Sequence, residues 1–182
     1  MAENTSKQAL VVVDVQVGVM AASIDSVEVV ERIRGLVERA REKGVPVIWV
    51  RHSSDDLVLG TPEWQIVPDL VPALGEPIVE KKFGDSFAET DLAERLGDVG
   101  ATSFVLCGAQ SDACIRSTFY GGIYRGYPVT LVSDAHTTED LRQWGVKYAP
   151  EQAIEMINTQ AQWTRLPNVS GSVVTAAEAF AG

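Results

Sequence analysis

Histidine and cysteine are scarce in this chain: two of each among 182 residues, His52, His136, Cys107 and Cys114. Two cysteines cannot build the disulfide framework of a small secreted domain. With only two histidines beside them, a His/Cys zinc site is not expected, and neither metal nor cofactor is called for. Basic residues are outnumbered, 15 Lys and Arg against 25 Asp and Glu, giving a net charge of −10. A nucleic-acid partner needs clustered cations to meet the phosphate backbone, so none is expected. Long apolar runs are missing too. A membrane span takes roughly 18–20 apolar residues, whereas "ALVVVDV" is short and contains Asp14. The opening "MAENTSKQ" lacks the basic, apolar, small-residue order of a secretory signal. The expectation is a cytoplasmic protein with no membrane partner.

What is present is a rhythm. "ALVVVDVQ" is a continuous apolar run of the kind buried on both faces of a parallel sheet. "VEVVERIRGLVERAREKG" follows with Val30, Ile33, Val37 and Ala40 on one stripe, a basic last turn and a closing glycine. "VPVIWVRH", "PIVEKK", "TSFVLCGA", "YPVTLVSDA" and "VSGSVVTA" read as further strands, and "ETDLAERLGDVG", "SDACIRSTFYGGIYRG" and "PEQAIEMINTQAQW" as helices. Such alternation predicts a single domain over 1–182, a three-layer α/β/α Rossmann-like fold with a mainly parallel six-stranded sheet. Residues 53–76, with Gly60, Pro62, Pro68, Pro72 and Gly75, read as a long irregular loop, a place where function often sits.

Open α/β sheets bind ligands beyond the carboxyl ends of their strands. At those ends stand Asp14, Arg51-His52, Lys81-Lys82, the stretch from Gly108 to Cys114, and Asp134-Ala135-His136. A carboxylate, an ammonium and a thiol therefore recur along one edge. Cysteine attacks as its thiolate, and a helix N-terminus favours that charge. Ser111 as N-cap would put Cys114 in the first helical turn, whose N–H groups could also hold an oxyanion. A lysine would steady the thiolate, and a carboxylate could take the thiol proton. Each residue also has a plainer reading: Asp14 as a cap, Lys81 as a solvated strand end, Cys114 as a small core residue. Yet an aspartate inside "VVVDVQ" is costly to bury unpaired. Cys107, inside "FVLCGA", reads as inert core.

In order, "ALVVVDVQ", "VEKKFGDSF-AETDL", "VLCGAQSDACI" and "GYPVTLVSDA" resemble the isochorismatase-like cysteine hydrolases, a family that includes nicotinamidases and N-carbamoylsarcosine amidohydrolases. The resemblance covers about residues 8–160. It implies a catalytic triad of Asp14, Lys81 and Cys114, with Lys81 rather than Lys82 selected by counting back from Phe87. It also implies a cis peptide between Ala109 and Gln110, and an oxyanion hole from the N–H groups of Gln110 and Cys114. Ser111 stands where the family more often has threonine. The histidine-rich metal element of nicotinamidases has no counterpart in "WVRHSSDDLVLGTPEWQ", which departs from the family there and argues against nicotinamide as substrate. The presence of Cys114 favours hydrolysis of an amide, ureido or lactam C–N bond over ether hydrolysis.

Gln16, Trp64, Phe87 and Tyr120 are the candidate substrate-binding residues, with Phe83 a further wall and His52 a possible polar contact. His136 reads as structural. Family members assemble as dimers or tetramers, so a homo-oligomer is expected, and Trp144 and Tyr148 in "HTTEDLRQWGVKYAP" suit an interface. Two other classes compete: a catalytically silent family member and a thiol redox protein. The latter lacks a C-x-x-C pair. A nucleotide-binding reading of "GGIYRG" fails, because that glycine pattern lies inside a helix-like segment rather than after a strand.

Overall fold

The computed structural model describes residues 7–181; the stretch read for a secretory signal lies largely outside them, at 1–6. The strands are β1 (Gln8–Val13), β2 (Val47–His52), β3 (Ile78–Lys81), β4 (Ser103–Ala109), β5 (Val129–Thr137), β6 (Arg165–Leu166) and β7 (Val169–Val174). The helices are α1 (Val17–Ala22), α2 (Ser26–Glu42), α3 (Leu92–Asp98), α4 (Arg116–Tyr124) and α5 (Pro150–Trp163). They form a seven-stranded sheet in the order β3-β2-β1-β4-β5-β7-β6. The expected count of six is corrected by β6, two exposed residues pairing antiparallel with β7. A strand that short, with no buried side chain, leaves no periodic trace in a sequence. The other six strands are parallel, as their apolar runs require.

β1 shows why both faces must be covered. Leu10 and Val12 enter one core with α2, while Ala9, Val11 and Val13 enter another with α3, α4 and α5. Side chains of a strand alternate between faces, so an uninterrupted apolar run needs two cores. On α2 the buried stripe is Val29, Ile33, Leu36, Val37 and Ala40, displaced by one position from the expected one at Val30. Ile33 and Leu36 are fully buried, each stabilising the packing by about 1.5–3 kcal/mol.

Strand order reverses between β1 and β4, so the crevice lies above that pair. Gly108 makes the pair unusually close. Its φ is 120°, and a Cβ there would lie 2.0 Å from the Val13 carbonyl oxygen. Only glycine lets the end of β4 press against the end of β1, which brings the turn after β4 beside Asp14.

Candidate active site

Asp14 follows β1 in the left-handed region (φ 52°) with its N–H bonded to Val50 O at 2.9 Å. Aspartate tolerates that conformation better than most residues. Lys81 ends β3, opposite His52 of β2 in register. Its side chain is fully buried, and its ammonium lies 2.6 Å from Asp14 Oδ2, 3.1 Å from Cys114 Sγ and 3.2 Å from His52 Nδ1. Three N–H bonds therefore meet three acceptors. The structure thus brings together the carboxylate, ammonium and thiol that lie far apart in the chain.

Burial sets the charges of this cluster. It raises the Asp14 carboxyl above its ordinary value, although Lys81 pulls the other way. Burial would lower the Lys81 ammonium, but Asp14 and Cys114 outweigh it and hold the group above its usual range. The Cys114 thiol is pushed up to about 12 by burial and by Asp14, against the pull of Lys81. A helix N-terminus favours the thiolate, and here burial and Asp14 oppose it. Asp14 Oδ1 is buried with no hydrogen-bond partner, and the Asp14 carboxylate lies within 4.8 Å of the sulfur. A buried carboxylate that near a thiol, with one oxygen unpartnered, is able to accept a proton.

Cys114 sits in a single π-turn, Ser111–Ile115, leading into α4. The peptide between Ala109 and Gln110 is cis. Gln110 O accepts from Ala113 N at 3.1 Å and from Ile115 N at 3.0 Å. Ser111, expected as the N-cap, does not cap: Gln110 holds that position without a side-chain bond, and the Ser111 hydroxyl meets His136 Nδ1 at 2.7 Å. His136 Nε2 in turn meets Asn158 Oδ1 at 2.9 Å, so the histidine read as structural ties the turn to α5.

The expected substrate contacts fare less well. Gln16 is fully buried and its amide is spent. Both amide hydrogens donate, to His52 O at 2.9 Å and Trp64 O at 2.7 Å, while Oε1 accepts from His52 N at 2.8 Å. It is a strut between β2 and the following loop, not a substrate ligand. Phe87 belongs to the core, stacked on Tyr127 with centroids 5.8 Å apart. Tyr120 turns toward α5, stacking on Tyr124 and bonding Gln160. Trp64 is 7 % exposed and one ring face is covered by Arg51, whose guanidinium carbon is 3.7 Å from the centroid. Beside the site, an open cavity of about 370 Å³ is lined by Ser53, Ser54, Asp55, Val58, Leu59 and Lys82. These follow directly on His52 and Lys81. The 53–76 loop is expected to carry function, but the sequence does not single out these lining residues, because nothing in the composition of Ser53 to Leu59 distinguishes a cavity wall from a solvated loop.

A metal ion fits poorly here. Among the described residues, one group of potential ligands converges: Asp14, His52 and Cys114, with donor atoms within 4.8 Å of one another. The Lys81 ammonium already contacts all three, and a metal would have to displace it. A buried positive charge stands where a second one would go.

Residues 8–162 match the model of the isochorismatase domain. The chain belongs to the isochorismatase family. Within it, the chain is 34% identical over 140 residues to a streptothricin hydrolase of Streptomyces noursei, covering 74% of this chain and 56% of that protein. It is 27% identical over 126 residues to the maleamate amidohydrolase of Pseudomonas putida, covering 59% of each. The chain therefore spans little more than half the length of these relatives. The crystal structure of a cysteine hydrolase from Pseudomonas syringae superposes with a TM-score of 0.84 over 96% of this chain and 91% of that one, at 24% identity. That likeness shows the α/β/α fold. No helix among the described residues is long and apolar enough to cross a membrane.

Proposed function

We propose that this isochorismatase-family protein is a cysteine-dependent hydrolase of a C–N bond, amide, ureido or lactam, in a small molecule. The observation that carries the reading is the buried Lys81 ammonium shared between Asp14 and Cys114, with the Asp14 carboxylate within 4.8 Å of the sulfur and one of its oxygens unpartnered. The names of two relatives, a streptothricin hydrolase and a maleamate amidohydrolase, support the reaction class.

Cys114 Sγ attacks the carbonyl carbon while its proton passes to Asp14 Oδ1. The negative charge that develops on the carbonyl oxygen is received by the N–H groups of Gln110 and Cys114. Such donors act strongly because they are fixed before the reaction begins. Asp14 returns the proton to the nitrogen, the C–N bond breaks, and an acyl thioester remains on Cys114. Water then attacks the thioester, giving one proton to Asp14, and the sulfur departs and is reprotonated. Lys81 keeps the pair's charge balanced throughout, since Asp14 and Cys114 exchange one proton beside a constant cation. No metal takes part. The protein works as a cytoplasmic homo-oligomer, a dimer or tetramer; two unpaired thiols suit a reducing compartment, and Trp144, 74% exposed, offers an apolar contact.

The test is release of ammonia or amine from a panel of small amides, ureido compounds and lactams, with intact-mass detection of an acyl adduct on Cys114. Cys114→Ala should abolish both, a loss of at least ~10³-fold. Release that survives in Cys114→Ala, or no release from any compound, would remove the cysteine-hydrolase reading.

A further inference from the structure

We infer that His52 is a positioning residue for the Lys81 ammonium, fixing its third N–H so that the other two point at Asp14 and Cys114. This rests on the hydrolase reading above. An ammonium has three donors and no acceptor, and a fully buried one is stable only if each donor is met. Asp14 and Cys114 meet two of them. His52 Nδ1, at 3.2 Å, meets the third. To accept from an ammonium, Nδ1 must carry its lone pair, so the imidazole is neutral with its proton on Nε2. Burial and the adjacent Lys81 both lower the His52 pKa, which agrees with a neutral ring.

The His52 backbone is held from behind. The Gln16 amide takes the His52 N–H and returns a hydrogen bond to the His52 carbonyl, and the same amide pins Trp64. Gln16 stands two residues beyond Asp14, so one side chain fixes the strand end that carries the proton acceptor to the one that carries the lysine's anchor. Without His52 Nδ1, the tetrahedral ammonium would rotate to seek a third acceptor, and the 3.1 Å contact with Cys114, the weaker of its two remaining contacts, would be lost first.

The experiment compares His52→Asn, His52→Gln and His52→Ala by the second-order rate of Cys114 alkylation with iodoacetamide, which needs no known substrate. Thermal unfolding is followed in parallel. An Asn side chain can place its amide oxygen near the Nδ1 position, whereas Gln, though larger, carries its oxygen one bond farther out. Alkylation at pH 7.5 should fall about tenfold in His52→Ala and His52→Gln and recover to within about threefold in His52→Asn. Rates in all three within twofold of the wild type would overturn the inference, as would Gln restoring the rate better than Asn, the order expected of a space-filling role. Failure of amide hydrolysis with an intact Asn-over-Gln order would instead count against the hydrolase reading and leave the anchor standing.

Discussion

Two buried polar networks flank the turn that carries Cys114, and each contains one of the chain's two histidines. On one side Asp14, Lys81, His52 and Cys114 form a charged cluster at the ends of β1, β2 and β3. On the other, Ser111, His136 and Asn158 form a neutral chain between the turn, β5 and α5. Proton positions in the neutral chain follow from its far end. Asn158 Nδ2 donates to Ser133 O at 3.2 Å, so Oδ1 faces His136, Nε2 carries the imidazole proton, and Nδ1 accepts from the Ser111 hydroxyl. Both imidazoles are held neutral, but for different reasons. Burial alone drives His136 down, whereas His52 is lowered by burial and by a neighbouring cation. A neutral network fixes geometry at little electrostatic cost, and a charged one stores reactivity that the geometry must hold in place.

The comparison breaks most completely at Lys81. Lys81→Met removes the only buried cation of the charged cluster and strands Asp14, which then takes up a proton and ceases to accept one from the thiol. Turnover should fall by roughly 10²–10⁴-fold, the span of a lost general base. Removing one partner of a buried pair costs about 3–5 kcal/mol, while the Asp14→Asn, Lys81→Met double variant should lose less stability than the two singles summed. Urea unfolding of the three variants checks the second expectation.

A milder change would make the neutral network resemble the charged one. Asn158→Asp places a carboxylate against His136 Nε2 and should lift the imidazole pKa by about one unit or more. The sign of the pH dependence then reverses. In the wild type the folded His136 pKa lies below its unfolded value, so its contribution is intact above about pH 6.5 and is lost as pH falls toward the folded value. In the variant the folded pKa lies above the unfolded value. The gain is then fully present below about pH 6.5 and disappears as pH rises through the folded pKa. Midpoints of urea unfolding at pH 5 and pH 7.5, with histidine titration by NMR, separate the two; an unchanged pH slope would contradict the proton assignment.

The architecture was legible because apolar runs and amphipathic stripes are local signals. "ALVVVDVQ" and "TSFVLCGA" mark buried strands whatever surrounds them; β4 falls within its run, and β1 begins one residue before its own. The positions of Asp14, Lys81 and Cys114 were legible through ordered motifs, and the coordinates bring the three into contact. What was illegible is contact between uncharged parts. Gln16 sits beside the site in sequence, yet only the positions of Trp64 O and the His52 backbone show that its amide is already used. Phe87 follows the lysine motif and still turns into the core against Phe104 and Tyr127. The thiol's elevated pKa was hidden as well, because a helix start is visible in sequence and the burial opposing it is not.

The smallest effect is expected at the second cysteine, seven residues before the first. Cys107 is fully buried in the middle of β4, with Sγ 3.9 Å from Val11 O and its thiol pushed up by burial alone. It shares a strong upward shift with Cys114, so pKa cannot distinguish the two; what differs is the carboxylate and ammonium beside Cys114. Cys107→Ala should therefore cost about 1 kcal/mol of packing and leave turnover within about twofold. Native labelling with iodoacetamide should stay at one site per chain in wild type and variant alike. Because the Cys114 thiol is pushed up to about 12, its labelling rate should keep climbing between pH 8 and pH 10 instead of levelling off near neutrality. A plateau below pH 8 would mean a resting thiolate, and with it a helix-terminus effect strong enough to overcome both burial and Asp14.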